Sequence, residues 1–489
     1  MKLAAISGRE YLTRMDQMKP NVWIRGEQIT EKLSAHPVYK GAMLTKASLY
    51  DLQVHPDFIE NMTFKSPKTN QRVGLSYLQP KTKEDLEARK FMMKTWASKT
   101  AGMMGRTPDY LNTVIMALSS SASLLNDQDE EFSKNLINLY ETARERDLSF
   151  THSFINPQIN RSSTYDEITA QPIATKIIKK TSDGLIVKGA RLLATQGGMT
   201  DEVLIFPSGA KNMEEEYAFS FSIPTDTNGV KFICRESYNQ GASHFNYPLS
   251  SRFHEIDTMI IFDNVLVPWE RVFFYHRPDI AYQLFSRSSF TPLTLQQVVI
   301  RQITKTEFIL GLAQLMVNTL NLSEYHHIRE KISEVIIGLE TMNALLDRAD
   351  KQASIDEWGT MIPNTHSLYV AVNMFPKLYP RMIEILQLIG AGGLVAIQTE
   401  EDFHSPLQKD LNHYCQGSGC NAVTKTKIFR LAWDVAMSAF GTRQTQYERY
   451  FFGDPIRLSS NLYMGYPRDK YTNQVEEFLD ISHTNEQSS

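Results

Sequence analysis

Cysteine is scarce in this chain: Cys234, Cys415 and Cys420 are the three among 489 residues. Three thiols cannot build a disulfide framework, and their scarcity fits a reducing compartment. Long apolar runs are also missing. The most apolar stretches, near 385–397 and 259–269, are interrupted by Gln, Gly, Asp or Asn, whereas a membrane-spanning helix needs about 20 apolar residues in a row. The start of the chain carries only Leu3-Ala4-Ala5-Ile6 before Ser7, too short for a secretory h-region of about 7–15 residues. The expected location is cytoplasmic, with no membrane partner. Nor is there an excess of one charge. The net formal charge is −4, which gives nucleic acid no field to follow.

Several chemical signatures are absent too. There is no G-x-x-x-x-G-K-[ST] loop and no G-x-S-x-G elbow, which argues against the common ATPase and serine-hydrolase designs. Gly390-Ala391-Gly392 starts a dinucleotide-like pattern, but no strand precedes it and position 395 is Val. Its plain reading is a helix C-cap and tight turn, with glycines that let a ligand approach the backbone. His413, Cys415 and Cys420 lie close together but lack the paired spacing of zinc ligands. His326-His327 with Glu330 lacks the H-E-x-x-H order. No metal is expected.

What remains is a globular composition, 42% hydrophobic and 22% charged, long enough for about three domains. Residues 1–148 read as a helical domain: 83–101, 109–121 and 127–145 carry apolar residues at three- and four-residue spacing, with a Gly/Pro break at 102–108. Residues 149–275 read as a central β domain, a small barrel or sandwich, of short runs such as 185–188, 202–206, 217–223, 230–234 and 257–262 separated by turn residues. There 263–268 is the expected exit, closed by Pro268. Residues 276–489 read as a four-helix bundle, with helices over 295–320, 324–353, 367–388 and 422–449, and a polar tail from 482. The fold class is α+β, mainly α. Helices, then strands, then helices is not the alternation of a Rossmann fold.

Four segments concentrate polar chemistry. In Gly105-Arg106-Thr107-Pro108-Asp109-Tyr110, Thr107 suits an N-cap and Pro108 the first helical position. That leaves Arg106 and Tyr110 as a cation and a phenol at a helix start; as a bare motif this reads more readily as a solvated Arg and a packed Tyr. Residues 151–161, THSFINPQINR, crowd hydrogen-bonding side chains at the junction of helical and β domains, a preferred place for pockets. Ala194-Thr195-Gln196-Gly197-Gly198 is a polar turn. In 441–450, Arg443 and Arg449 suit either a helix C-terminus or a phosphate.

Taken in order, GRTPDY (105–110), THSFINPQINR (151–161), ATQGG (194–198), DNVLVPWERVF (263–273) and GTRQTQYERYFFGDP (441–455) resemble the oxygenase components of 4-hydroxyphenylacetate 3-monooxygenases, two-component FADH2-dependent phenol hydroxylases. The resemblance runs from about residue 8 to 467. It implies the acyl-CoA dehydrogenase fold, with FAD between β domain and bundle and a homotetramer built as a dimer of dimers. It implies that Arg106, Tyr110 and His152 are catalytic and surround the substrate phenol oxygen, and that Pro207 and Ser208 lie near the substrate's far end. It assigns cofactor contacts to His152, Ser153, Gln158, Ile159, Asn160, Arg161, Thr195, Arg443, Gln444, Thr445, Gln446 and Tyr447, and to Gln387, Gly390 and Gly392 reaching a neighbouring subunit's flavin. A 4-hydroxybutyryl-CoA dehydratase of the same superfamily needs cysteine ligands that cannot exist here, since no Cys precedes Cys234.

The implied reaction is ortho-hydroxylation of a phenol to a catechol through a flavin C4a-hydroperoxide, using O2. A phenol ring is a better nucleophile once its proton is drawn away, so the site needs a cation, a group that takes a proton near neutrality and a hydrogen-bond donor. Arg106, His152 and Tyr110 supply these. No nicotinamide site is recognisable, so a separate NAD(P)H:flavin reductase is the implied partner. Alternatives are a phenol or chlorophenol monooxygenase, an acyl-CoA dehydrogenase-like flavoenzyme, and a non-catalytic scaffold of the same fold.

Overall fold

Helix starts in the first third of the chain are written in capping residues. Ser7 accepts from the Glu10 amide while the Glu10 carboxylate accepts from Ser7, and Thr82 with Asp85 repeats the arrangement. Helices Gly8–Gln17 and Lys83–Lys99 thus begin with otherwise orphaned amides satisfied. Helix Pro108–Ser120 starts differently. Thr107 is its N-cap and Pro108 its first residue, as the sequence predicts, but the Thr107 hydroxyl makes no cap bond; the fixed φ of proline orders that turn instead. All of residues 108–118 are buried, as befits a helix enclosed on every side. It packs on the long helix Phe290–Leu320.

The computed structural model describes residues 4–159, 172–207, 213–239 and 243–481. Its strands form two main sheets. One has six strands in the order Glu27–Gln28, Val22–Ile24, Val230–Cys234, Asp257–Pro268, Gly184–Thr195, Lys176–Lys180. The other has four: Val272–Tyr275, Phe219–Pro224, Glu202–Ile205, Phe150–Ser153. The helical reading of residues 1–148 is incomplete in this respect. Val22-Trp23-Ile24, a β-prone run between Pro20 and Gly26, pairs in parallel with Val230–Cys234, and Thr63–Lys65 pairs with Arg72–Gly74. A three-residue strand carries no periodicity, so its partner 210 residues away decides its conformation.

Residues 263–268 also depart from expectation. They do not leave the sheet; Asp257–Pro268 is one twelve-residue strand. Its register against Gly184–Thr195 shifts between Phe262 and Val265, where Asn264 takes a positive φ of 51°. The Asp-Asn pair makes a bulge rather than a turn.

After residue 290, three long helices appear as expected: Phe290–Leu320, His326–Lys351 and Thr365–Gly390. The fourth is broken. Ala422–Ala436 stops, and Ser438 caps a new helix, Ala439–Tyr450, by accepting from Gly441. Any side chain at Gly441 would strike the carbonyls of Asp434 and Val435, so the two halves abut only because 441 is glycine. No described helix is long and apolar enough to cross a membrane.

Candidate active site

Four segments converge beside the buried end of helix Pro108–Ser120. Strand Phe150–Ser153 lies parallel to Glu202–Ile205, pairing His152 with Leu204. Strand Asp257–Pro268 pairs Asp257 with Thr195. Helix Ala439–Tyr450 brings Arg443 and Tyr447 onto the same place, and Gly105-Arg106 enters from the loop before Pro108.

Arg106, Tyr110 and His152 are brought together. The Arg106 guanidinium carbon lies 4.6 Å from the Tyr110 ring centre, 4.5 Å from that of Phe451 and 5.7 Å from that of Tyr447. The Tyr110 and His152 rings are 6.0 Å apart, and His152 stacks on Phe154 at 5.5 Å. Among the described residues no carboxylate pairs with Arg106, whose side chain donates only to the neighbouring Gly105 carbonyl at 3.3 Å. Cation–π contact steadies a guanidinium without consuming its in-plane donors. Burial, reinforced by Arg106, holds the His152 imidazole well below its ordinary range, so near neutrality it is uncharged and keeps a ring nitrogen able to accept a hydrogen bond. Burial pushes the Tyr110 phenol upward, with Arg106 and Arg301 opposing; it stays protonated and available as a donor.

A second cluster adjoins the first. Arg443 donates to both Asp257 oxygens at 2.6 and 3.0 Å, Arg235 donates to Asp257 at 2.9 Å, and the Thr195 hydroxyl donates to it at 2.9 Å. Burial alone would raise Asp257, yet Arg443 and Arg235 together hold it below the usual carboxylate range. The helix-terminus reading of Arg443 does not hold. Because the helix restarts at Ser438, Arg443 sits near a helix N-terminus and is held by an ion pair. Its guanidinium carbon is 4.3 Å from the Tyr447 ring centre, so the two clusters share Tyr447.

The other expected residues are distributed unevenly. Ser153 donates to the Leu193 carbonyl at 2.8 Å. Thr445 donates back to Gly441 at 3.2 Å, Gln446 is exposed, and Ile159 is 49% exposed. Gln158 is exposed and has an interaction within the chain, and Pro207 is buried. Gln444 is fully buried with both ends of its amide used, donating to Met103 at 3.0 Å and accepting from Lys305 at 2.8 Å. Gln387 lies away from this cluster, donating to Ala436 at 2.7 Å, while Gly390 ends its helix and Gly392 faces open space. Asn160, Arg161 and Ser208 lie outside the described residues.

The sequence reading missed several participants. Glu255 and Asp257 flank Ile256 at the head of a strand that is otherwise largely apolar, an out-of-place pair of charges that is the signal for them. Arg301 and Lys305 stand four apart on a mostly apolar helix and close on Glu448 at 2.5–2.9 Å, all fully buried. Phe451, which faces Arg106, carried no signal of its own.

These residues suit a flavin. Among the described residues Tyr447 Oη is buried with no partner, in a wall shared with Thr195 and Arg443, and a side chain at Gly105 would run into that phenol. An uncharged imidazole, a phenol donor and a cation with no described carboxylate partner have the chemistry to receive an anionic oxygen.

Family models described as 4-hydroxyphenylacetate 3-hydroxylase N terminal and C terminal match residues 7–274 and 281–480. A probable 4-hydroxyphenylacetate 3-monooxygenase of Bacillus subtilis (strain 168) is 51% identical over 98% of this chain and 99% of its own length. The 4-hydroxyphenylacetate 3-monooxygenase oxygenase component of Geobacillus sp. (strain PA-9) is 43% identical over 98% and 97%. A crystal structure of such an oxygenase component, complexed with FAD and 4-hydroxyphenylacetate, superposes with a TM-score of 0.92 at 41% identity, covering 97% of this chain and 98% of that one. The fold is of the acyl-CoA dehydrogenase-like kind, and the chain belongs to the 4-hydroxyphenylacetate 3-hydroxylase family of FAD-dependent monooxygenase oxygenase components.

Proposed function

We propose that the chain hydroxylates 4-hydroxyphenylacetate beside its phenol group, giving 3,4-dihydroxyphenylacetate. The observation that carries this reading is Arg106: a cation with no described carboxylate partner, packed on aromatic rings next to an uncharged, buried His152. Arg106 stabilises negative charge on the substrate's phenol oxygen, His152 receives or shares its proton, and the Tyr110 hydroxyl orients it. Pro207 and Ser208 serve the far end of the substrate. Ser153, Gln158, Ile159, Asn160, Arg161, Thr195 and the Arg443–Tyr447 segment hold the FAD, with His152 at the boundary. When bound, reduced FAD together with O2 supplies the electrophilic oxygen; the protein's part is to place the ring and keep water out.

An oxygenase component requires a reductase partner, and we read that partner as a separate NAD(P)H:flavin reductase delivering FADH2 by diffusion in the cytoplasm. A homotetramer accounts for the apolar side chains left outside. Ile337 is 66% exposed and Val395 77%, the latter beside the Gln387–Gly392 turn. An interface over these side chains supports the homotetramer, and in it the turn reaches a neighbour's flavin.

The test is product analysis. The purified chain is mixed with 4-hydroxyphenylacetate, FAD, NADH, an unrelated flavin reductase and catalase. The expected result is 3,4-dihydroxyphenylacetate by mass spectrometry only when the chain is present. Its absence, with phenol or a chlorophenol hydroxylated instead, would overturn the substrate assignment.

A further inference from the structure

Glu255 lies one residue ahead of strand Asp257–Pro268 and is 1% exposed. Its carboxylate accepts from the Gly105 amide at 2.8 Å and from the Arg106 amide at 2.9 Å. Neither amide belongs to the following helix, whose N-cap is Thr107, so without Glu255 both would be stranded in the interior. The third acceptance is from Gln196 Nε2 at 2.9 Å, and that same nitrogen donates to the Arg106 carbonyl at 2.8 Å. Gln196 Oε1 in turn accepts from the buried Lys46 ammonium at 2.9 Å. Gln196 has φ 67°, a left-handed conformation that is strained for a non-glycine, and its side chain is held at both ends. Both main-chain polar groups of Arg106 are therefore fixed by side chains from elsewhere, while its guanidinium makes no ion pair among the described residues.

We infer that Glu255 is a positioning residue for hydroxylation: it clamps the Gly105-Arg106 backbone against Tyr447 and so sets where the Arg106 guanidinium stands relative to the flavin-side cluster. The geometry couples the two clusters directly. Arg443 Nη1 is 4.0 Å from Glu255 Oε2 while Arg443 also holds Asp257, so one tripeptide, 255–257, grips the substrate loop at one end and the flavin-side arginine at the other. A side chain at Gly105 would run into the Tyr447 phenol, so the loop packs directly against that ring.

This rests on Arg106 reading the phenol oxygen, and the experiment separates the two ideas. Glu255→Gln, Glu255→Asp and Arg106→Ala are compared with the unaltered enzyme for turnover, KM for 4-hydroxyphenylacetate, FADH2 affinity and peroxide released per reduced flavin consumed. A loop displaced by about 1 Å predicts a turnover loss on the order of 100-fold, a raised KM and a shift from catechol to peroxide, with FADH2 affinity unchanged. Glu255→Asp, which keeps the charge and shortens the reach, should fall between. A folded Glu255→Gln with normal turnover and coupling overturns the inference if Arg106→Ala is inactive. A parallel fall in turnover and FADH2 affinity also overturns it. Normal turnover by Arg106→Ala overturns the reading of Arg106 itself. Should Glu255→Gln not fold, Gln196→Met removes the amide on the Arg106 carbonyl, and the same loss of coupling is expected at smaller size; unchanged coupling there overturns the clamp.

Discussion

Two arginine environments stand side by side in this molecule. Arg301, with Lys305, is buried against Glu448; Arg106, packed on the neighbouring Phe451 ring, pairs with no described carboxylate. Both guanidinium groups contact the Phe451 ring, at 5.1 and 4.5 Å from its centre, yet their charges are spent differently. The Glu448 group settles its electrostatics inside the chain. Burial works against Glu448 ionising, but Arg301 and Lys305 hold it at about 2. On the proposed reading, Arg106 leaves its charge for the substrate's phenol oxygen. On that reading, a cation with no described counter-ion beside one held by a buried carboxylate separates holding the fold from reading a ligand.

The sharpest way to break the comparison is to remove the shared anion of the paired group. Glu448→Ala leaves two cations with no counter-charge in the interior, and losing one partner of such a group costs about 3–5 kcal/mol. The expected result is a large fall in melting temperature and denaturant midpoint. A variant that melts like the parent would mean that water or a rearranged side chain replaces the carboxylate.

Arg106→Ala should give the reverse pattern. Loss of one charge-stabilising group at a reacting oxygen lowers turnover on the order of 10²–10³-fold, while the melting temperature stays near that of the parent, because no described ion pair is lost. Arg106→Lys should not restore turnover, since an ammonium neither stacks on the aromatic rings nor offers the guanidinium's planar donors. Steady-state catechol formation beside a thermal melt checks both halves; a stability loss matching that of Glu448→Ala would erase the distinction between the two environments.

Much of this division was legible in the sequence, and the part that was not has a physical cause. Helix-strand-helix order showed in periodicity, and Arg106 and Tyr110 showed as what remained once Thr107 and Pro108 were given to the helix start. The strand Val22–Ile24 did not show, because three residues have no period and their partner lies far along the chain. The break at Met437-Ser438 did not show either: 422–449 keeps apolar spacing across it, and serine caps a helix no differently from how it rides on one until its hydroxyl is seen accepting from Gly441. That break moved Arg443 from a helix end to a helix start and hid its pairing with Asp257. Glu255 and Asp257 were written plainly as charges at the head of an apolar strand, but their partners, at 105–106, 196, 235 and 443, meet them only through the tertiary fold.

Acid should expose the two environments in a third way. His152 and His254 are buried; burial first, with Arg106 for the former and Arg235 and Arg443 for the latter, holds His152 well below 6.5 and His254 at about 3. Their folded values lie below the unfolded one, so the unfolded chain takes up protons first as pH falls. Their contribution is complete above about 6.5 and is lost on acidification, by about 1.4 kcal/mol per pH unit for each. Melting temperature should therefore decline between pH 6.5 and 5, well before the Asp257 and Glu448 carboxylates protonate. The decline should be shallower in His254→Gln; an unchanged slope would assign the acid sensitivity elsewhere.

The smallest effect belongs to the surface, where pairing alone is on trial. Arg381 donates to Glu334 at two positions, both 2.7 Å, and to Glu384 at 2.8 Å, a geometry as good as that around Glu448. Its side chain is 37% exposed, like that of Glu334, and water with salt screens what distance alone would make strong. Arg381→Ala should cost about 0–1 kcal/mol, with part of even that removed at high ionic strength. Run beside Glu448→Ala in the same melts, it asks whether burial or hydrogen-bond count sets the difference. Equal losses would mean geometry decides; a large loss at Glu448 and almost none at Arg381 means that the interior, by withholding water, gives the paired cluster its hold on the fold.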